Sequence, residues 1–126
     1  METGRMELRP AGEDRWELFL RETGEECGHC GMKKIQWNKK TMWQISWELT
    51  QEHLHQGYAA EAVRAVTDYA FSQPGVEEVC TLVPDTDQPG IAAALRSGMA
   101  LKGRTEAPEG EGLLLVFSRE KKEKKK

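Results

Sequence analysis

The chain is poor in cysteine and has no long apolar run. The first shortage argues against a disulfide-rich secreted domain and the second against a membrane-spanning helix. Only three of its 126 residues are cysteines, Cys27, Cys30 and Cys80, and this sparse, odd number does not fit the disulfide framework of a secreted domain. No apolar run approaches the roughly 20 residues that a membrane-spanning helix needs. The first residues also lack the apolar segment of a signal peptide. We therefore expect a cytoplasmic protein without a membrane segment, and the length fits one domain.

The net charge of −3 is unevenly distributed along the chain. The last eight residues, 119–126, carry six basic and two acidic side chains, which leaves a net charge of about −7 on the remainder. A basic tail can contact nucleic acid or an acidic partner, but a solvated terminus has the same composition and is the interpretation that we favour. We predict one domain over residues 1–118, a disordered basic tail over 119–126 and no nucleic-acid partner.

Four segments of alternating apolar and polar residues open the chain and predict strands at 5–10, 15–22, 27–37 and 41–50. The period then changes to 3.6 residues, which predicts a helix from Gly57 to Gln73 and, after a further strand at 76–83, a second helix over 88–99 that ends near Gly98. Two last strands are predicted at 99–105 and 112–118. The order β-β-β-β-α-β-α-β-β indicates an α+β, or mixed α/β, fold around one sheet, with one parallel pair of strands.

The sequence Cys27-Gly28-His29-Cys30 spells the redox motif of protein disulfide isomerases. A reactive motif of this kind needs a helix N-terminus, because the helix dipole lowers the pKa of the first thiol. Here a polar turn precedes the motif, no helical period follows it, and the two acidic residues before it would raise the pKa of a neighbouring thiol. We therefore favour an ordinary strand, and keep a redox centre only as an alternative.

The same stretch offers ligands for zinc. Cys27, His29 and Cys30 are potential ligands, with His53 or His55 as a fourth. On a regular strand Cys27 and His29 point to one face and Cys30 to the other, and a second close pair of ligands is missing. We therefore predict no metal site, and expect the two thiols to be small packing side chains.

Residues 48–62, ELTQEHLHQGYAAEA, join the fourth strand to the first helix. A strand that feeds a glycine-containing turn and then a helix presents free backbone N–H groups, together with the positive end of the helix dipole, to an anion. Gly57 would let a phosphate approach the backbone closely, although a glycine at a helix start is often only a matter of geometry. The segment is therefore a candidate anion site.

The segment HLHQGYAAEAVRAVTDYAFSQPGVEEV resembles the acetyl-CoA-binding segment of the GNAT-superfamily N-acetyltransferases. The loop of that family, Q/R-x-x-G-x-G/A, falls here on residues 54–59, and the G-Y-A-x-E-A form is similar to the branch that acetylates the N-termini of ribosomal proteins. The resemblance continues through CTLVPDTDQPGIAAALRSGMALKGR and covers roughly residues 44–117. It makes GEECGHCGM the counterpart of an ordinary structural strand of the family.

The resemblance implies a GNAT-like acyl-CoA N-acyltransferase fold, whose mostly antiparallel sheet contains one splayed pair of parallel strands, here around Leu49 and Thr81. Acetyl-CoA would bind there as co-substrate, with its pantetheine arm along residues 48–50 and its pyrophosphate at the loop amides. A primary amine of a small molecule or a peptide N-terminus would attack the thioester directly in a ternary complex. The implied cofactor-binding residues are Leu49, Thr50, Leu54, His55, Gln56, Gly57, Tyr58 and Ala59.

The acceptor amine needs help to lose its proton. Only about 1 in 2,000 lysine-like amines is uncharged at pH 7, and a positioned base accelerates such a step by about 10²–10⁴-fold. Glu48 is our candidate base, directly or through water, because it would lie beside the thioester and face away from Trp47 and Leu49. A solvated strand glutamate is the alternative, and His53 and His55 are weaker candidates.

Several positions depart from the family pattern. Leu54 and His55 replace a usual glutamine or arginine and a common glycine, and Asp87 and Gly90 replace a usual asparagine and serine. Leu95 stands where many members carry a tyrosine that protonates the leaving thiolate. About 50 residues, which in relatives form two helices that wall the acceptor site, are missing between the first two strands. A homodimer partner would be one way to complete that site, and a degenerate member that binds CoA or a protein with little catalysis is the alternative.

Overall fold

The computed structural model describes residues 1–54, 56–107, 110 and 112–121 of the chain. Within these residues the order of elements is the predicted one, with a short 3₁₀ turn, Gln51–His53, before the first α-helix. The elements are β1 (Met6–Gly12), β2 (Arg15–Leu20), β3 (Glu26–Trp37), β4 (Lys40–Leu49), α1 (Tyr58–Phe71), β5 (Glu78–Pro84), α2 (Gln88–Arg96), β6 (Ala100–Glu106) and β7 (Leu113–Glu120).

The strands form one sheet in the order β1-β2-β3-β4-β5-β7-β6. Every neighbouring pair in it is antiparallel except β4 and β5, so the predicted α+β fold with one parallel pair is confirmed. That pair is short, because only Trp43–Gln44 of β4 pair with Val79–Cys80 of β5. Both strands continue well past these residues, and they therefore separate towards their carboxyl ends.

The core lies between one face of the sheet and helix α1. Alternate residues of the strands point to this face, since side chains of a strand alternate between faces, and the apolar stripe of α1 packs onto them. Each fully buried aliphatic side chain contributes about 1.5–3 kcal/mol to the hydrophobic stabilisation of the fold. The buried cluster includes Met6, Leu8, Leu18, Ile45, Val79 and Val83 of the sheet and Val63, Val66 and Ala70 of α1.

The opposite face of the sheet is open over β2, β3 and β4. Strands β1 and β2 are joined by Glu13 and Asp14 alone, which confirms that no helices stand between them. Asp14 makes the turn in the left-handed region, at φ 59°. Exposed polar side chains on this face include Glu17, His29, Lys33, Ser46 and Glu48, whereas Met42, near the other end of β4, is fully buried there.

The last strand, β7, extends two residues beyond the predicted domain boundary at residue 118. Strand β7 continues through Glu120, where Glu78 of β5 is its partner. The amide of Lys121 donates to the carbonyl of Glu77 at 2.8 Å. The remainder of the predicted basic tail, residues 122–126, lies outside the described residues.

A buried carboxylate, Glu78, holds β4, β5 and β6 together beside the short parallel pair. Its side chain is 1% exposed, with Lys40 Nζ 2.9 Å from Oε1, while Lys102 Nζ donates to Oε2 at 2.8 Å. Burial is the largest single influence and raises the pKa of Glu78, but Lys102, Lys40 and Ser118 together outweigh it and lower the pKa to about 2. The ion pairs therefore stabilise the folded state.

We expect Glu78→Gln to lower the free energy of unfolding by about 2–3 kcal/mol at neutral pH. Because the folded-state pKa lies below the unfolded value, this contribution is complete above about pH 5 and is lost as the pH falls towards 2. Urea unfolding of wild type and variant at pH 7 and pH 3 measures it. Exposed Glu77→Gln is the matched control, and an equal loss at both pH values would contradict the assignment.

Candidate functional site

The separation of β4 and β5 opens a cleft between the two strands. A cavity of about 240 Å³ lies in it, against Gln44 and Ser46 of β4 and residues 81–84 of β5. A second cavity of about 240 Å³ adjoins the first and reaches the N-terminal ends of α1 and α2. Trp47, Asp87 and Gly90 line both cavities. The two together form one continuous groove from the middle of the sheet to two helix N-termini.

The structure gathers most of the predicted cofactor-binding residues around this groove. Leu49, Leu54, Gly57 and Ala59 line the second cavity, and Glu48 lines it with them. Thr50, Gln56 and Tyr58 do not line it and lie next to those that do. His55 is outside the described residues.

The N-terminus of α1 has the free amides that an anion site needs. Gly57 is the residue before the helix, with φ 83° and ψ 0°, a left-handed conformation that favours glycine. Among the described residues, the first bond of the helix runs from the amide of Glu61 to the carbonyl of Gly57 at 3.2 Å. The amides of Tyr58, Ala59 and Ala60 therefore precede the helical bonding pattern, at the positive end of the helix dipole.

Arg5, near the start of the chain, holds the loop before α1. Its Nη1 donates to the carbonyl of Gln56 at 3.1 Å, its Nε donates to Glu61 Oε1 at 2.8 Å, and its guanidinium lies 4.2 Å from the centre of the Tyr58 ring. The Thr3 hydroxyl donates to the other oxygen of Glu61. Burial is the largest influence on this carboxyl and raises its pKa, but these hydrogen bonds together hold the pKa below its usual range.

Sequence reasoning missed Arg5, since no local pattern links it to a loop about 50 positions away. The usable signal was Glu61, the glutamate of the G-Y-A-A-E-A stretch. A half-buried carboxylate in the first turn of α1 needs a partner, and Arg5 supplies it together with a positive charge beside the free amides.

Asp87 begins α2 and projects into the groove. Its carboxylate accepts a hydrogen bond from the amide of Gly90 at 3.0 Å, which is a regular N-terminal cap. The positive end of α2 offsets the negative charge of Asp87. This reduces the repulsion between Asp87 and a phosphate bound nearby. Leu95 is 54% exposed and lines neither cavity.

Of the predicted bases, Glu48 remains at the groove. Its side chain is 77% exposed on the open face, and Oε1 lies 3.3 Å from His29 Nε2, across the β3–β4 pair. His53 is buried instead. Its Nδ1 is 2.6 Å from Thr50 Oγ1 and its Nε2 is 3.7 Å from Glu25 Oε1. Both ring nitrogens therefore face protein groups, which does not favour His53 as the base.

The expected orientation of the Cys-Gly-His-Cys stretch is wrong. Cys27 and Cys30 are both buried in the core, and His29 alone points to the open face. The cause is a bulge, because the β2–β3 register shifts so that Gly28 pairs with Leu18 while Glu26 pairs with the next residue of β2, which leaves Cys27 as an extra residue.

The glycine of this stretch has a steric role. A Cβ at Gly28 would lie 2.1 Å from the carbonyl oxygen of Glu48 and 2.9 Å from Cα of Leu49, and φ is 155°. Only glycine therefore allows β3 to approach the end of β4 that borders the groove.

The placement contradicts the redox and zinc alternatives. Cys27 and Cys30 lie in a strand, where burial raises the pKa of Cys30 to about 12. The pKa of Cys27 is raised by burial first and then by Glu25 and Glu26. His29 is on the other face of the sheet from both thiols. Ligand atoms of Glu25, Glu52 and His53 do lie within 4.8 Å of one another, but neither cysteine is among them.

Comparison with known proteins decides the family. Residues 3–100 match the family model described as an acetyltransferase (GNAT) domain. The chain belongs to the GNAT acetyltransferase family. It is similar to the uncharacterized protein YkkB of Bacillus subtilis, with 31% identity over 88 residues that cover 70% of this chain and 51% of that protein. It is also similar to the uncharacterized N-acetyltransferase p20 of Bacillus licheniformis, with 30% identity over 62% of this chain and 43% of that protein.

This GNAT chain spans about half the length of those curated relatives. Among solved structures, an acetyltransferase from Agrobacterium tumefaciens has a TM-score of 0.76 at 22% identity, covering 96% of this chain and 94% of that one. The aminoglycoside acetyltransferase AAC(6′)-Ib, solved with coenzyme A, has a TM-score of 0.69 at 19% identity, covering 86% and 67%. A ribosomal-protein-S5-alanine acetyltransferase from Vibrio fischeri has a TM-score of 0.71 at 12% identity, covering 84% and 60%. At these identities the likeness establishes the fold.

Neither helix of the described chain has the length and apolar character needed to span a membrane.

The burial of the thiols leads to a prediction about their reactivity. Cys80 is also fully buried and burial raises its pKa to about 12, so all three thiols lack both access and thiolate character. We expect no reaction of the native protein with Ellman's reagent at pH 8, and reaction of three thiols per chain after unfolding in guanidinium. Rapid labelling of Cys27 or Cys30 in the native protein would revive the redox hypothesis.

Proposed function

We propose that this chain is an acetyl-CoA-dependent N-acetyltransferase that transfers an acetyl group to a primary amine. The observation that carries the proposal is the continuous groove from the β4–β5 separation to the free amides of α1. Membership of the GNAT family supports it, and so does the description of the relative p20 as an N-acetyltransferase.

The groove suits the successive parts of acetyl-CoA. Within the described residues, the edge of β4 that faces β5 has no strand partner beyond Gln44, so the backbone groups of Leu49 are available to the amides of a pantetheine arm. Thr50 is not available in the same way, because its amide donates to the carbonyl of Cys27 and its carbonyl accepts from the amide of His53. The amides of Tyr58, Ala59 and Ala60 are available to a pyrophosphate. Arg5 would add a positive charge beside them.

The reaction needs few groups from the protein. Bound acetyl-CoA supplies an activated acetyl group as a thioester. The neutral amine forms a bond from its nitrogen to the acetyl carbon, the bond from that carbon to sulfur breaks, the amine gives up one proton and the CoA thiolate takes one. We assign the acceptance of the amine proton to Glu48, directly or through one water, because its carboxylate lies at the groove on the open face.

The open face is where an acceptor would approach. Glu17 and Glu48 flank His29 on adjacent strands of this face, and carboxylates suit an amine that arrives as a cation. In the part of the chain that the structure describes, Glu17, His29 and Glu48 are exposed on this face, which leaves room for a peptide N-terminus as well as for a small molecule. The G-Y-A-A-E-A sequence, similar to the branch that acetylates ribosomal-protein N-termini, favours the peptide.

A second candidate is a protein that binds CoA, or a partner, and catalyses little. Two observations favour it: Leu95 offers no proton to a leaving thiolate, and the open face shields neither Glu48 nor a bound thioester from water. A second copy of the chain packed over this face would supply the missing wall and restore the first candidate.

Cofactor binding at the α1 loop predicts the effect of one glycine substitution. We expect Gly57→Glu to weaken acetyl-CoA binding at least about tenfold, because it places a carboxylate at the free amides. Calorimetric titration of acetyl-CoA measures the change. Gly75→Glu is the matched control, since Gly75 has φ 84° against 83° at Gly57, and a Cβ there meets nothing within 4 Å. Equal binding by both variants would place the cofactor elsewhere.

The role of Glu48 predicts a loss of turnover without a loss of binding. We expect Glu48→Gln to lower the rate of CoA release with an active acceptor by about 10²-fold or more, while acetyl-CoA affinity is retained. A panel of peptides and polyamines, assayed for released CoA, supplies the acceptor. Glu22→Gln, which removes an exposed carboxylate in the turn after β2, is the control. Full activity of Glu48→Gln would make this residue a solvated strand glutamate, and binding without turnover by wild type would favour the second candidate.

A further inference from the structure

A third cavity, of about 590 Å³, lies beside the N-terminus of α1. It shares Gly57, Ala60 and Arg96 with the second cavity of the groove, so the two meet where a pyrophosphate would bind. Its volume falls in the range of roughly 300–1,000 Å³ that is usual for small-ligand sites. The part of a ligand that follows the pyrophosphate could therefore occupy this third cavity.

Two arginines project over this cavity from different helices. Arg64 lies two turns into α1, on the stripe that begins at Gly57, and Arg96 ends α2. Seven residues of helix rise roughly 10 Å, and helical side chains lean towards the N-terminus. Arg64 and Arg96 line the cavity together with Gly57 and Ala60 at the start of α1.

Arg64 and Arg96 differ from Arg5, the third arginine of the cavity, because Arg5 alone forms an ion pair with a carboxylate among the described residues. Arg5 is already paired with Glu61, with its Nε 2.8 Å from Oε1. Among the residues that the structure describes, no carboxylate oxygen lies within 4 Å of a side-chain nitrogen of Arg64 or Arg96. Glu2 and Asp68 also line the cavity, but Glu2 pairs with Arg21 at 3.8 Å and Asp68 lies a further turn of α1 beyond Arg64.

Helix capping accounts for only part of this arrangement. Arg64 donates through Nη2 to the carbonyl of Arg96, and a positive charge at the end of α2 suits the helix dipole. An arginine carries five N–H donors, however, and this bond uses one of them. The remaining donors of Arg64 and those of Arg96 belong to residues that line the same cavity, and guanidinium groups suit a dianionic phosphate.

Building on the proposed function, we propose that Arg64 and Arg96 bind the 3′-phosphate of the CoA adenosine in this cavity. The pyrophosphate and the 3′-phosphate of CoA are joined through one ribose, and Arg64, Arg96 and Gly57 line the same cavity. The pair then selects CoA over nucleotides and CoA precursors that lack the 3′-phosphate.

The test compares CoA with 3′-dephospho-CoA by calorimetry. Wild type is expected to bind CoA about tenfold more tightly, as charge-assisted hydrogen bonds at a solvent-exposed site allow. In the Arg64→Gln/Arg96→Gln variant, CoA affinity should fall to that of 3′-dephospho-CoA, whose own affinity should not change. Arg9→Gln, which removes one positive charge from strand β1 outside this cavity, should keep the full preference.

Each outcome bears on a distinct claim. Equal affinity of wild type for the two ligands overturns the role of the arginines and leaves the proposed function standing, and this comparison requires no variant to fold. A preference that survives in the double variant also overturns it. Failure of wild type to bind either ligand overturns the proposed function itself, and the arginine site with it.

Discussion

The site depends on a parallel pair of strands that is held at one end and free at the other. Lys40 and Lys102 enclose the buried carboxylate of Glu78 beside the two residues where β4 and β5 pair. Past that point the right-handed twist of the sheet carries the strands apart without hydrogen bonds between them. Because the closed end is fixed by buried charge, the open end is a defined groove and not a frayed edge.

Two further contacts hold the walls of that groove. The bulge in β3 brings Gly28 against the backbone of Glu48 and Leu49, which fixes the end of β4. On the other side Arg5 binds the carbonyl of Gln56 and the carboxylate of Glu61, which fixes the loop that leads into α1. In both cases a segment that is distant in sequence supports the backbone that borders the groove.

Most of the fold was predictable because local patterns and the family resemblance agree. The alternation of Trp43, Ile45, Trp47 and Leu49 and the helical period after Gly57 place β4 and α1 correctly. Alternation failed at Cys27, because a bulge changes the face of every later residue and leaves no mark in the sequence except a glycine. The roles of Arg5, Glu78 and Arg64 were not predictable, since each depends on a partner from another element.

The hairpin at Glu13 and Asp14 takes the place of two helices, so the protein itself does not cover the open face. Water would then have to be excluded from the reaction by the acceptor amine. An acetyl group bound in the groove, as proposed, would be covered by α1 on one side of the sheet and by solvent on the other. Exclusion of water from a thioester then has to come from the acceptor itself, or from whatever molecule occupies that face. Selectivity at such a site rests on how well the acceptor covers the sheet, and a poorly fitting amine competes with hydrolysis.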